Sequence, residues 1–377
     1  MREFIDGAEA IARGALAAGC NFFAGYPITP ATPILLHMLR ELPKVGGVGI
    51  QAEDEIASLG FCIGAAMAGA KVMTATSGPG ISLYSENIGL GIMGEVPLVI
   101  VDCQRLGPAT GGATTVGQGD VQFIRWSTSG GFPIIALCPT NVLECYSLTV
   151  RAFNLAERFR CPVFLVTDKE VVSTLTSVNL DDYQAEPVVE RRLAPATGDF
   201  VPYRVERLDD VPPMSPFGGP HLVRFTTSTH DERGFLTKDP AKVDRLNRHL
   251  AEKIEAHRDE IELVRLDPQA GAKTLVVSYG ITARSMQEAV ALARQRGQKV
   301  SALTVYSLWP VPERALRQAM AGMGRVVVAE LNLGQYRLEI ERLAGLLDGP
   351  RPEVVGVHRV DGELIAPQEI LERVGDG

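Results

Sequence analysis

The chain has 377 residues, of which 46% are hydrophobic, 22% charged and 6% aromatic, and its 45 acids against 37 bases give a formal charge of −8. That balance suits two cored domains and excludes the disordered, collagenous and coiled-coil classes. No basic run is present to neutralise a phosphate backbone, which argues against nucleic-acid binding.

Asp6 is placed to cap a helix running to Ala18 and ending at Gly19, and Asn21 to Gly25 reads as a short buried strand. Thr32 before Pro33 reads as an N-cap with proline at the first helical position, predicting a second helix to about Leu42. Strands follow at 71–76, 98–103, 132–137 and 162–167, with helices near 53–69, 80–92 and 141–159. Short apolar runs alternating with helices predict an α/β fold, a parallel sheet with helices on both faces. Composition then shifts, because residues 187–240 hold eight of the 24 prolines. This stretch reads as a connector that wraps the surface or a partner, followed by a charged amphipathic helix from Asp239 to Ile261. A second α/β unit begins at Lys273, with strands at 274–279, 300–305, 326–330 and 354–357 and helices near 283–296, 312–321 and 335–347. The expected division is 1–180, a connector with its helix at 181–265, and 266–377.

No segment approaches the roughly 18 to 20 consecutive apolar residues of a membrane span. The opening Met1-Arg2-Glu3-Phe4-Ile5-Asp6 lacks the basic-then-apolar order of a signal peptide, so a cytoplasmic location is expected. The six cysteines (20, 62, 103, 138, 145 and 161) sit mostly in apolar stretches without a CxxC, which reads as reduced core thiols and fits no usual iron–sulfur pattern.

The literal GxGxxG at Gly89-Leu90-Gly91-Ile92-Met93-Gly94 closes a helix instead of opening one, the wrong context for a dinucleotide fingerprint. Thr76-Ser77-Gly78-Pro79-Gly80 does follow a strand and open a helix; it reads either as a tight turn or as a helix N-terminus facing an anion or a neighbouring chain. Tyr26-Pro27-Ile28-Thr29-Pro30 lies at the carboxyl end of the first strand, where open α/β sheets place ligands. It is either a structural turn or a rigid mount for the Thr29 hydroxyl. Glu53-Asp54-Glu55 opens the helix of 53–69, and acids in a first turn serve the helix dipole. The body of that helix is almost wholly small and apolar, with Gly60 and Gly64 one turn apart, which predicts burial on all sides and close backbone contacts. A carboxyl buried there is expensive without a partner, the signature of a functional acid. Arg105, in a glycine-rich loop after a strand, is either an exposed loop residue or a bidentate carboxylate ligand. His221, His230, Asp231 and Glu232 lie in the connector without metal-ligand spacing.

Gly7-x-Glu9-Ala10-Ile11-Ala12-x-Gly14, Ala24-Gly25-Tyr26-Pro27-Ile28-Thr29-Pro30, Glu53-Asp54-Glu55-Ile56-Ala57, Ala75-Thr76-Ser77-Gly78-Pro79-Gly80 and Gln104-Arg105-x-Gly107-Pro108-x-Thr110-Gly111 together resemble the alpha subunit of 2-oxoacid:ferredoxin oxidoreductases, particularly the 2-oxoglutarate type. The resemblance runs nearly end to end, includes His230-Asp231-Glu232-x-Gly234, and is specific in the order and spacing of its motifs. It implies that residues 1–180 form a thiamine-diphosphate pyrimidine-binding domain and that the second unit is similar to a transketolase C-terminal domain. The diphosphate half of such enzymes carries Gly-Asp-Gly followed by Asn-Asn, and the only Gly-Asp-Gly here is 375–377. The resemblance therefore implies a beta subunit supplying the diphosphate site, Mg²⁺ and a [4Fe-4S] cluster, with gamma and ferredoxin-like delta subunits as further candidates.

By the same resemblance the functional glutamate hydrogen-bonds the cofactor's aminopyrimidine ring nitrogen. Spacing back from Gly60 favours Glu55, with Glu53 as runner-up. Tyr26, Pro27, Ile28, Ser77 and Gly78 are the implied cofactor contacts, and Thr29 and Arg105 the implied ligands of the 2-oxo acid. The implied reaction is coenzyme A-dependent oxidative decarboxylation to an acyl-CoA and carbon dioxide, with electrons passed to ferredoxin or a similar acceptor. After the arginine loop, many 2-oxoglutarate members resemble Pro-Thr-Lys-Thr-Glu-Gln-Ser-Asp, whereas this chain reads Ala113-Thr114-Thr115-Val116-Gly117-Gln118-Gly119-Asp120. Thr115 replaces the lysine and Leu106 a usual glycine, leaving room for a branched-chain or aromatic 2-oxo acid. The beta-type chain of a 2-oxoacid dehydrogenase E1 and a non-catalytic α/β scaffold are the alternatives.

Overall fold

A computed structural model describes residues 2–180 and 186–375. The start of the expected connector, 181–185, and the last two residues of the Gly-Asp-Gly at 375–377 lie outside the described residues.

The chain runs β1 (Glu3–Ile5), α1 (Gly7–Ala17), β2 (Phe22–Gly25), α2 (Thr32–Glu41), β3 (Val48–Gln51), α3 (Glu55–Met67), β4 (Val72–Thr76), α4 (Gly78–Met93) and β5 (Leu98–Gln104). It continues through α5 (Val121–Arg125), β6 (Ile135–Leu137), α6 (Val142–Phe159), β7 (Pro162–Asp168), α7 (Lys169–Ser173) and β8 (Thr176–Val178). After the connector come α8 (Pro240–Glu255), α9 (Arg258–Ile261), β9 (Val264–Asp267), β10 (Thr274–Ser278), α10 (Thr282–Gln295), β11 (Val300–Val305) and β12 (Ser307–Trp309). The last elements are α11 (Glu313–Met320), β13 (Arg325–Glu330), α12 (Arg337–Ala344), β14 (Glu353–His358) and α13 (Pro367–Val374).

The first sheet has seven strands in the order β12-β6-β7-β5-β4-β2-β3, parallel except for the β12–β6 pair. Its central strands β4, β5 and β7 are buried at every residue, which is why they read as continuous apolar runs and not as alternating ones. Parallel strands bring their carboxyl ends to one edge, so the loops after β2, β4 and β5 meet there. The second sheet, β14-β13-β10-β11-β9, is parallel except for β9. No helix among the described residues is long and apolar enough to cross a membrane.

Several expectations shift. Thr32 is the first helical residue and Ala31 the N-cap, without a side-chain hydrogen bond. Asp54 caps α3 by accepting from the Ala57 N–H at 2.7 Å, so Glu55 is the helix's first residue. The amphipathic helix breaks into α8 and α9, and β9 starts ahead of the expected boundary at 266. β12 leaves the second unit to extend the first sheet, a long-range pairing that local pattern does not encode. Gly60 and Gly64 face outward with nothing within 4 Å of an added Cβ, and Ile56 and Phe61 are 53% and 48% exposed. The helix is therefore buried on one side only, through Leu59, Cys62, Ile63, Ala66 and Met67, and its apolar character exceeds what this chain's own core uses.

The connector wraps the chain's own first unit. Arg191 is buried, donates to both carboxylate oxygens of Glu157 at 2.7 Å, and also reaches the Ala66 and Ala70 carbonyls. Glu95, fully buried between α4 and β5, receives Lys253 Nζ from α8 at 2.8 Å. His230 stands between the Asp231 and Met93 carbonyls and against the Tyr203 ring, a packing role.

Candidate active site

β4 ends at Thr76, and Ser77, in extended conformation, is the N-cap of α4. Close approach dictates the glycines of this turn. An added Cβ at Gly80 would overlap Thr76 Oγ1 and lie 3.0 Å from Glu55 Cγ, and one at Gly78 would lie 2.8 Å from Asp120 Oδ2. The first residue of α3 thus packs directly on the first turn of α4. Glu55 is only 7% exposed, and its carboxylate has no hydrogen-bond partner among the described residues. Glu53, two residues earlier, is exposed.

Arg105 follows β5 and is buried; Nη1 donates to the Thr29 carbonyl at 2.6 Å, and Nε has no partner. The guanidinium therefore joins the loops after β2 and β5. It does so through the backbone of Thr29, whose residue is exposed, and the Thr29–Pro30 peptide is cis. On the same loop Tyr26 is exposed, and Pro27 and Ile28 are partly exposed.

A cavity of about 650 Å³ beside α9 and α11 contains none of these residues. Another, of about 730 Å³, lies between the two units and is lined by Gly78, Pro79, Arg105, Leu106, Asp120, Phe123, Leu331, Asn332 and Val360, among others. Its lining includes neither Glu55 nor the Tyr26–Thr29 loop, and Arg105 is its one cation among the described residues. Leu106 faces this space, whereas Thr115 turns away: its hydroxyl donates to the Gly112 carbonyl at 2.8 Å, and an added Cβ at Gly362 would lie 3.1 Å from its own Cβ.

Polar atoms cluster at the carboxyl ends of β4 and β5. Thr76 Oγ1, Ser77 Oγ, both carboxylate oxygens of Asp102 and Asp120 Oδ2 are shielded from solvent and unpaired among the described residues. Burial pushes Asp102 well above the usual carboxylate range, with the neighbouring Asp120 adding to it. Burial also pushes Asp120 up to about 6, against the pull of Arg105.

The second unit holds this wall in place through Gln118. Its side-chain oxygen accepts from Thr282 Oγ1 and the Leu331 N–H, both at 3.0 Å, and its carbonyl accepts from Asn332 Nδ2 at 2.7 Å. Gln335 Nε2 donates to the Gly119 carbonyl at 2.6 Å. Sequence reasoning missed Asp102, Asp120 and Gln118. A signal for the first was present, since Asp102 is the lone charge in the apolar run Leu98–Cys103.

The family described as pyruvate flavodoxin/ferredoxin oxidoreductase, thiamine diphosphate-binding, matches residues 13–249, and pyruvate:ferredoxin oxidoreductase core domain II matches 272–370. The 2-oxoglutarate synthase subunit KorA of Methanothermobacter marburgensis is 42% identical, with 98% of each chain covered. The chain belongs to the 2-oxoacid:ferredoxin oxidoreductase family. It is an alpha-type subunit of that enzyme complex, which sets aside the E1 beta-type and scaffold alternatives. A family member with another substrate in its name, the ketoisovalerate oxidoreductase subunit VorB of Methanothermobacter thermautotrophicus, is 34% identical over 99% of this chain and 97% of its own. The solved 2-oxoglutarate:ferredoxin oxidoreductase of Magnetococcus marinus, with 2-oxoglutarate, coenzyme A and succinyl-CoA bound, is 31% identical with a TM-score of 0.91. This chain is covered over 99% of its length and spans 64% of that one.

Proposed function

We propose that this subunit binds the aminopyrimidine half of thiamine diphosphate and the carboxylate of a 2-oxo acid, 2-oxoglutarate first. The complex then carries out coenzyme A-dependent oxidative decarboxylation, with electrons passed singly to ferredoxin or a similar acceptor. The observation that carries the reading is Glu55: a residue only 7% exposed at the start of α3, its carboxylate unpaired among the described residues and packed against the turn that opens α4. The cofactor fits this corner, since the shielded hydroxyls of Thr76 and Ser77 leave polar atoms for a ligand to satisfy. When bound, thiamine diphosphate supplies the nucleophilic carbon and the electron sink for decarboxylation. Glu55 holds a proton at the pyrimidine ring nitrogen, Tyr26, Pro27, Ile28, Ser77 and Gly78 shape the ring's surroundings, and Arg105 with Thr29 orients the substrate carboxylate.

The partner in this reading is a beta subunit with the diphosphate site, Mg²⁺ and a [4Fe-4S] cluster, with gamma and delta subunits as further members. Two features support it: the open apolar stripe of Ile56, Gly60, Phe61 and Gly64 beside Glu55, and six buried thiols. Free thiols also support a reducing, cytoplasmic setting. The division at about 180 and 265 is retained as part of the proposal, with β12 as the strand that crosses it.

A branched-chain or aromatic 2-oxo acid is the second reading. It is favoured by the cavity's apolar wall of Leu106, Phe123, Leu331 and Val360 and by the absence of a second cation among its described lining residues. Comparing kcat/KM of the purified complex for 2-oxoglutarate, 2-oxoisovalerate, pyruvate and phenylglyoxylate decides between the two. 2-Oxoglutarate is expected to lead, and a higher value for an apolar substrate establishes the second reading.

A further inference from the structure

Two carboxyl groups unpaired among the described residues neighbour each other at the cavity between the units: Asp120 on its wall, and Asp102 behind it in β5. Asp102 is fully buried in β5, and neither of its oxygens has a hydrogen-bond partner among the described residues. Asp120 lines the cavity, rests its carboxylate on Gly78, and keeps Oδ2 shielded and unpaired. The position of Asp120 is fixed from both units: its N–H donates to Gln104 Oε1 at 3.1 Å, and Gln335 grips the adjacent Gly119 carbonyl.

The charged groups around it are few. β5 contributes Asp102 and, just beyond its end, Arg105; Glu55 of α3 packs on Gly80, two residues along from the Gly78 on which Asp120 rests. The first turn of α4 (Gly78, Pro79, Gly80) has no charge, and the second unit presents the neutral Asn332 and Gln335. Arg105 is thus the cation that favours an ionised Asp120.

We propose that Asp120, backed by Asp102, is a proton-uptake site coupled to substrate binding: when a 2-oxo acid's carboxylate engages Arg105, Asp120 takes a proton from solvent. This rests on the reading of Arg105 as the carboxylate ligand. A bound anion neutralises the guanidinium field, so the ionised state of Asp120 loses the one counter-charge it has among the described residues while the cost of its burial remains. The proton moves from buffer to a carboxylate oxygen of Asp120, and no bond of the substrate changes. Asp120 is here a positioning residue, because it acts through Arg105. Burial sets Asp120 near 6, so above that pH the free site is ionised and binding must bring a proton with it. Binding coupled to proton uptake weakens as pH rises, by at most about tenfold per pH unit for one proton.

The test is calorimetric titration of the assembled complex with N-oxalylglycine, an unreactive 2-oxo acid analogue, in buffers of different ionisation enthalpy between pH 6 and 8. Net proton uptake and an affinity that falls with pH are expected. In Asp120→Asn both are expected to vanish while analogue binding persists. An infrared difference spectrum of the unaltered complex supplies a readout that needs no variant: analogue binding adds a carboxylic-acid carbonyl band. If Arg105→Lys binds the analogue as tightly as the parent, the Arg105 reading fails. If Arg105→Lys binds weakly but the parent shows neither uptake nor the band, or if Asp120→Asn still takes up the proton, this inference alone is overturned.

Discussion

Glu55 and Gly80 are in contact across the start of two helices: a Cβ on residue 80 would stand 3.0 Å from Glu55 Cγ and would overlap Thr76 Oγ1. Gly80→Ala must therefore move Glu55, Thr76 or both. A stability loss of about 1–3 kcal/mol is expected from overpacking, together with a fall in turnover. Adding Thr76→Ala removes the worse clash and is expected to restore Tm in part without restoring turnover, because the Glu55 contact remains. Thermal melts and steady-state rates of the two variants in the complex check this.

Glu55→Gln keeps the shape of the side chain but removes its exchangeable proton. We expect kcat to fall by about 10²–10⁴-fold with complex assembly unchanged. Glu53→Gln is expected to stay near the parent rate, since Glu53 is exposed. The reverse pattern transfers the role to Glu53.

Arg105→Lys removes the fork that serves the Thr29 carbonyl and leaves a free nitrogen for a ligand. A point-charge ammonium cannot serve both. KM for the 2-oxo acid is expected to rise by about 10- to 100-fold, corresponding to the loss of one charge-assisted hydrogen bond, with a smaller change in kcat.

Glu95→Gln tests the fastening of the connector. Removing one member of a buried ion pair leaves Lys253 uncompensated, at a cost of about 3–5 kcal/mol. Although burial opposes ionisation, Lys253, His249 and Arg160 together hold the Glu95 carboxyl far below its ordinary value of 4.5. A depressed carboxylate contributes stability above its unfolded value and loses it as pH falls through the folded one. Urea unfolding of the two proteins should therefore differ most near neutral pH and converge in strong acid. A gap independent of pH would contradict the assignment.

Much of this architecture is legible in the residues, and what is not has a physical reason. The central strands announce themselves because burial on both faces demands unbroken apolar runs, as in Leu98–Val101. The loops at their carboxyl ends are equally readable from Tyr26–Pro30, Thr76–Gly80 and Arg105. β12 escapes because three residues pair with a strand some 170 positions earlier, and pattern within a window does not carry such a register. Gly60 and Gly64 mislead because composition reports how apolar a helix is, not whose surface covers it. Gln118 is invisible because an amide in a glycine-rich loop becomes informative only once Thr282, Leu331 and Asn332 arrive around it.

That amide also limits how the two halves can be recombined. Gln118 hydrogen-bonds Tyr279, Thr282, Leu331 and Asn332 of the second unit, and Trp309 on β12 donates to the Val121 carbonyl at 3.0 Å. A chimera that exchanges residues beyond about 265 for those of a relative with a different substrate therefore imports foreign neighbours for the loop bearing Asp120. Such hybrids should change substrate preference without any exchange in residues 1–180, and the altered specificity should follow the origin of residues 279–360. On the proposed reading, substrate selection belongs to the pairing of the two units and to neither unit alone.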